Sequence, residues 1–349
     1  MEEIREIREF LIELENNKDV YLPGDIVAGN LVLELWSPMQ VKELKLTFSG
    51  EAKIHYWNTT EPFRCGYERY FEQSVVILEC DKEIKDGHEV EEGVHKYPFI
   101  FELPSKLPTS FEDGFAHVSY ITTAILFTNM LYSQKTCTRL ITVLSHLDLN
   151  EIDYIDVPCE EQMAKNLCCL CCTTGPVTGI LRLDRTGYIP GETIHVNVEF
   201  TNMSRYTCNI CVVGTQTVSY TQLSKKDTEH WFCQAVRREV HPGDSETLSE
   251  KLIIQPIPPS SGLTGCGIIS IDYHVQLKVM PVAFRTPPFY IKQRIVIGTV
   301  PLKSVVEQYT MEYPGALSTT PTANEFQLTF KESKYGPKYH YFDCLKDKA

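Results

Sequence analysis

The chain repeats itself. Val20-Tyr21-Leu22-Pro23-Gly24-Asp25-Ile26 through Leu33 returns as Gly187-Tyr188-Ile189-Pro190-Gly191-Glu192-Thr193 through Phe200, at a single shift of 167 positions. The same shift sets Leu31 over Val198 and Leu33 over Phe200. In both copies a Pro-Gly turn feeds a run with apolar residues at alternate positions, the pattern of a strand with one buried and one wetted face. This predicts Ile194, Val196, Val198 and Phe200 in one core, and Leu31 and Leu33 in another. A looser echo sets Leu103-Pro104 and Tyr120 against Ile257-Pro258 and Tyr273, at shifts of 154 and 153. Two tandem domains of one ancestry follow.

A chain of 349 residues that is 43% hydrophobic has room for two cores and a tail. The longest apolar stretch, Ile121 to Leu131, falls short of the roughly 18 residues that a membrane span needs. The charged start, Met-Glu-Glu-Ile-Arg-Glu, is unlike a secretion signal, and neither end carries a lipidation motif. The expectation is therefore a cytoplasmic protein, with the 13 cysteines as thiols. In that setting Asn58-Thr59-Thr60 and Asn202-Met203-Ser204 are not glycosylation sites. Residues 1–160 carry 29 acidic and 14 basic side chains, a net of −15, while 161–349 carry a net of +2. Nucleic acid is excluded as a partner, because backbone binding needs a basic surface. The acidic half is also repelled by anionic headgroups.

Strand language dominates. Leu44, Leu46 and Phe48 alternate with Lys45 and Thr47. Similar runs cover 70–79, 97–103, 209–221, 252–257, 268–279 and 290–297. Helical signals are few; Ser110-Phe111-Glu112-Asp113 reads as a cap for one turn, and Glu89-Val90-Glu91-Glu92 as a solvated loop. The expected organisation is all-β: two tandem antiparallel immunoglobulin-like β-sandwiches over 1–158 and 177–302. Between them lies a Cys-rich join over 159–176, and a tail follows over 303–349, its end pairing back onto a sheet edge.

The residues resemble those of arrestin-domain-containing proteins, the α-arrestins. The matches are Tyr21-Leu22-Pro23-Gly24-Asp25, Leu107-Pro108-Thr109-Ser110-Phe111-Glu112, Cys168 through Pro176, Gly187-Tyr188-Ile189-Pro190-Gly191-Glu192 and Ile297-Gly298-Thr299-Val300-Pro301-Leu302. They span about residues 8–302 in order. The resemblance implies the arrestin fold, with N- and C-domains, and a non-enzymatic adaptor without cofactor. Such an adaptor links membrane-protein cargo tails to trafficking proteins, endocytic sorting and ubiquitin ligases, from a cytoplasmic pool recruited to the plasma membrane or endosomes.

The chain also departs from that pattern. Many relatives carry Pro-Pro-x-Tyr motifs for WW domains in a disordered tail; residues 303–349 contain none. The one match, Pro287-Pro288-Phe289-Tyr290, lies at the entry to the last expected strand, where a proline pair starting an edge strand explains it. Ligase recruitment is correspondingly weak in expectation. Ser119 and Ser270 stand where relatives often have Arg. The stretch 241–248 has no cysteine, so the thioredoxin partnership of one branch is unsupported.

Three readings compete for Cys168-Cys169-Leu170-Cys171-Cys172: burial as small hydrophobes, S-acylation, and metal. The two-residue gaps suit zinc, but a structural site needs a second pair, and Cys208 and Cys211 come nearest. Enzyme signatures are absent from the sequence, with no Gly-x-Ser-x-Gly, phosphate loop or His-Glu-x-x-His. His117, His195 and His274 read as strand residues. The stretch 56–70 reads as an aromatic loop in which Phe63 and Tyr67 are candidate partner contacts and Trp57 packs. Besides the adaptor, two alternatives stand: a stable trafficking-coat subunit of the same fold, like that of retromer, and a metal- or thiol-dependent protein built on the cysteine cluster.

Overall fold

The computed structural model describes residues 6–55, 65–79, 88–128, 134–169, 172–221, 226–233, 236–260, 265–283, 286–312, 320–323 and 336–342. The chain divides into two units. The first is built on Met1–Ser145 with Thr264–Ile268 and Glu325–Pro337; the second on His146–Leu263, Ile269–Asn324 and Lys338–Ala349.

Unit 1 contains β1 (Ile7–Leu14), β2 (Val20–Tyr21), β3 (Ile26–Leu35), β4 (Met39–His55), β5 (Cys65–Glu79), β6 (His88–Val90), β7 (Gly93–Glu102), β8 (Phe111–Glu112), β9 (Ala116–Thr128) and β10 (Gln134–Val143). One sheet has the order β1-β3-β7. The other runs β2-β10-β9-β4-β5, with β6 on β4 and β8 on β9. Unit 2 contains β11 (Cys159–Cys169), β12 (Cys172–Leu183), β13 (Gly187–Tyr188), β14 (Thr193–Asn202), β15 (Cys208–Tyr220), β16 (Lys226–Trp231), β17 (Val236–Val240), β18 (Ser245–Ile253), β19 (Ile269–Pro281) and β20 (Phe289–Ile297). Its sheets run β11-β12-β14-β18 and β13-β20-β19-β15-β16, with β17 on β15. Beyond them lie helix α1 (Lys303–Glu312) and a separate two-stranded ribbon of β21 (Thr320–Ala323) and β22 (Lys338–Tyr341).

The repeat in the sequence is a repeat in topology. Strand orders β1-β3-β7 and β12-β14-β18 correspond, as do β2-β10-β9-β4-β5 and β13-β20-β19-β15-β16. The expected core faces are present: Leu31 and Leu33 are buried in unit 1, and Ile194, Val196, Val198 and Phe200 in unit 2. Residues between the latter four, His195, Asn197 and Glu199, are exposed, so period-two alternation sets the register. Most pairs are antiparallel; the short β2 and β13 lie parallel to β10 and β20.

The side chains that lock each sandwich lie outside the stretch aligned at the shift of 167. Tyr120 Oη donates to the Pro108 carbonyl at 2.6 Å, and Tyr273 Oη to the Pro258 carbonyl at 2.7 Å. The partner of Tyr120 is thus Pro108, and the echo through Pro104 is corrected. Two residues after each proline a buried serine grips the closing strand. Ser110 Oγ accepts the Val143 N–H at 2.9 Å and Ser260 Oγ the Ile297 N–H at 2.6 Å, and each serine N–H returns to the same residue's carbonyl. Burial pushes the Tyr120 and Tyr273 phenols well up, so both stay neutral donors.

Several expectations fail for identifiable reasons. The stretch 159–176 is no linker: β11 and β12 form a hairpin on the sheet of unit 2, with no counterpart in unit 1. The division between units also falls earlier than residue 158, because Leu149 and Ile155 pack in a core cluster with Ile189 and Leu302 of unit 2. Ser110 caps no helix; Phe111–Glu112 is β8, paired with β9. Val90 is a buried residue of β6 rather than part of a solvated loop. The run 252–257 is strand only as far as Ile253. Finally, the region after Leu302 holds α1, and among the described residues β22 pairs with β21 rather than with a sandwich edge. Asn150 Oδ1 accepts the Lys303 N–H at 2.9 Å, so the cap at the start of α1 lies 153 positions away.

Candidate functional site

β5 is the terminal strand of the larger sheet of unit 1, and among the described residues its only ladder partner is β4. It runs 15 residues, against 6 for its counterpart β16. Its root is anchored: the Phe71 ring stacks on Phe101 of β7 at 5.4 Å and on Tyr120 at 6.1 Å. Among the described residues no strand pairs with its outer side, and in its first half the Glu68 carboxylate accepts the Gly267 N–H at 2.9 Å. Glu72, Gln73, Ser74, Val75 and Val76 are all exposed, the two valines at 45% and 44%. An edge of this length leaves a row of backbone N–H and C=O groups unpaired, a template for an added strand.

Tyr67 stands near the start of this edge, 43% exposed. It belongs to β5 and pairs with Lys53 of β4; the loop expected over 56–70 therefore ends by residue 65. Arg69 Nε donates to Tyr67 Oη at 2.8 Å, and Arg69 also pairs with Glu72 at 2.9 Å. Lys53 Nζ lies 5.5 Å from the Tyr67 ring. The phenol thus has two cations within 6 Å of its ring and one of them bonded to its hydroxyl, an amphipathic side chain held at low entropic cost. Phe63 and Trp57 lie outside the described residues.

The remaining candidates separate. Pro287 and Pro288 are exposed, but Phe289 is buried and Tyr290 is a half-buried residue of β20, paired with Lys278 of β19. Lys165 Nζ caps the Phe289 ring at 4.7 Å, and Lys292 Nζ lies 5.1 Å from Tyr290. A WW groove needs an extended polyproline-type segment that this strand does not offer. Titration of the intact chain with WW domains is therefore expected to give no complex tighter than millimolar. A micromolar complex lost on Tyr290→Ala in a folded chain contradicts this. The backbones of Cys169 and Cys172 pair with each other, and that of Cys168 with Thr173, in the β11–β12 hairpin. The side chains of Cys168, Cys169, Cys171 and Cys172 lie outside the described residues. Cys208 and Cys211, the nearest second pair, are buried in β15.

The repeated Pro-Gly turn gives a second comparison. In each copy an acid at the same position accepts the N–H three residues earlier: Asp25 from Leu22 at 3.1 Å, Glu192 from Ile189 at 2.9 Å. Their environments drive opposite shifts. Burial raises the Asp25 pKa, but hydrogen bonds from Lys18 and the Leu22 N–H outweigh it and hold the carboxyl low. At Glu192 burial dominates and raises the pKa, although Arg185, 3.2 Å away, and the Ile189 N–H pull against it. Asp25→Ala is expected to cost about 1 kcal/mol, the loss of an exposed cap. Glu192→Ala should cost about 3 kcal/mol, because the buried Ile189 N–H loses its acceptor and Arg185 keeps only Asp184, 3.5 Å away, as a carboxylate partner. Urea unfolding of both variants checks the ratio; equal costs would contradict the difference in burial.

Comparison with known proteins agrees with this architecture. The sequence pattern described as "Arrestin (or S-antigen), N-terminal domain" matches residues 10–150, and "Arrestin (or S-antigen), C-terminal domain" matches residues 173–302. Arrestin domain-containing protein 17 of Caenorhabditis elegans is 29% identical over 314 residues, covering 84% of this chain and 70% of the relative. Arrestin domain-containing protein 4 of Mus musculus is 27% identical over 325 residues, 86% of this chain and 76% of the relative. Arrestin domain-containing protein 1 of Homo sapiens is 26% identical over 284 residues, 81% and 64% respectively. Two sandwiches of matching strand order, both domain patterns in sequence and relatives spanning both halves lead to one conclusion: the chain belongs to the arrestin-domain-containing family of arrestin-type adaptors.

Proposed function

We propose that this protein is a non-catalytic adaptor of the α-arrestin type that captures cytosolic segments of membrane proteins by strand addition along β5 and delivers them to endocytic sorting. The observation that carries the reading is the 15-residue edge strand β5, whose outer side no described strand pairs. Backbone pairing along it supplies affinity without regard to sequence, while Tyr67 and the exposed valines read alternate side chains. Charge supports the same partner. Residues 1–160 carry a net of −15, and cytosolic segments beside membrane spans are enriched in Lys and Arg. No helix among the described residues is long and apolar enough to cross a membrane. In this reading a cytoplasmic pool reaches the plasma membrane or endosomes through cargo, aided by acylation of the cysteine hairpin. One acyl chain gives only marginal binding, about 10⁴ M⁻¹, so cargo or a second chain must add to it. A ubiquitin ligase would be recruited by a route other than Tyr290.

Affinity purification of the tagged intact chain from detergent-solubilised cells tests the reading. The adaptor retrieves several membrane proteins at substoichiometric levels. Retrieval of two fixed soluble partners at one copy each would instead identify a stable coat subunit and overturn it.

A further inference from the structure

The two copies of the Pro-Gly turn are built alike and covered differently. In unit 1, Leu22 is 42% exposed and nothing lies within 4 Å of where a β-carbon on Gly24 would stand. In unit 2, Ile189, Pro190, Gly191 and Glu192 are all buried. The cover is the chain's own tail. The Phe342 N–H donates to the Pro190 carbonyl at 3.1 Å. The Phe342 backbone lies so close over Gly191 that any β-carbon there would overlap it. Gly191 has φ +102, in the left-handed region that favours glycine, so the turn both reaches its shape and admits a second backbone through one residue.

The Phe342 ring completes a core cluster with Leu149, Ile155, Ile189 and Leu302, against which Val305 and Tyr309 of α1 pack. Yet β22, which carries Phe342 to this place, pairs only with β21 among the described strands and adds to neither sandwich sheet. Removing it breaks no ladder of the sandwich. A second observation points to a ligand site. Glu192 is 2% exposed, and its Oε1 has no hydrogen-bond partner among the described residues. A buried acceptor left open at a covered turn is one that an incoming donor can satisfy.

We propose that the Ile189–Glu192 turn and α1 form a docking cleft for an extended peptide bearing an aromatic residue. Phe342 is its intramolecular occupant, and a partner peptide displaces it. The partner has an aromatic side chain for the cluster and an N–H free to bond the Pro190 carbonyl. Its backbone also lies flat across Gly191. Release of the tail makes the cleft available, so occupancy by Phe342 sets a threshold that a partner must exceed.

The test uses a fluorescently labelled peptide of residues 336–349, titrated with the full chain and followed by anisotropy. The Phe342→Glu chain, with its own tail disengaged, is expected to bind the peptide at least tenfold more tightly than the wild-type chain. Phe342→Ala within the peptide should reduce that binding at least tenfold. Val305→Glu, placed on α1 in the Phe342→Glu chain, should do the same while leaving the circular dichroism spectrum unchanged. Equal binding by the wild-type and Phe342→Glu chains overturns the proposal, as does binding indifferent to Phe342 of the peptide. Failure of the Phe342→Glu chain to fold also overturns it, because the segment is then a fixed part of unit 2 rather than a displaceable ligand.

Discussion

Val198→Asp is expected to unfold unit 2 at temperatures where the wild-type chain is folded. Val198 is 1% exposed and lies between Leu181 of β12 and Leu248 of β18, both buried. Its neighbours in the ladder offer an aspartate neither cation nor donor, so the substitution buries an unpaired charge, at a cost above about 4 kcal/mol. A domain's whole stability is roughly 5–15 kcal/mol. For a unit of this size the transition should fall by at least about 10 °C. Asn197→Asp, one residue away on the exposed face, should stay within about 0.5 kcal/mol. Calorimetry of the two variants tests the register of β14, and similar effects from both would mean the strand faces are misassigned.

The second large effect is at the tyrosine locks. Tyr273→Ala removes a fully buried ring that packs edge-on against Phe232 at 5.5 Å. It also leaves the Pro258 carbonyl without its donor. The expected cost is about 4–6 kcal/mol, from the cavity and the orphaned acceptor together. Tyr→Phe isolates the hydroxyl. Tyr273→Phe should cost about 2–3 kcal/mol, because Gln216 Nε2, 2.7 Å from the phenol, loses its acceptor as well. Tyr120→Phe should cost nearer 1–2 kcal/mol, since Gly50 stands across from Tyr120 where Gln216 stands across from Tyr273. With two units the unfolding is not two-state. The calorimetric trace should show Tyr120→Phe and Tyr273→Phe moving different transitions. Movement of the same transition by both would deny that each unit has its own lock.

Much of this fold is legible in the sequence because sandwich strands alternate. Leu44, Leu46 and Phe48, or Val196, Val198 and Phe200, declare their face without outside help. What fails is information carried by distant residues. The serine grip is invisible because Ser110 and Ser260 act on strands 33 and 37 positions away, at a shift of 150 rather than 167. The start of α1 is invisible because its cap, Asn150, is remote in sequence. The β11–β12 hairpin is hidden by its cysteines and by Pro176, which suggest a join, although Pro176 pairs with Asn166 of β11 and precedes the part of β12 that pairs with β14. The candidate site is legible in part. Aromatics around Tyr67 point to contact, but alternation cannot say which strand ends a sheet. The exposure of β5 follows from strand order alone.

The central claim, capture of membrane-protein segments at the β5 edge, is tested most directly by a photo-crosslinking amino acid placed at Tyr67 in the intact chain in cells. The control position is the exposed Trp231 of the shorter edge β16. After illumination, mass spectrometry of the products from position 67 should identify cytosolic segments of membrane proteins, in excess of those from position 231. Products from position 67 that contain no such segments, or that match those from position 231, would contradict the account.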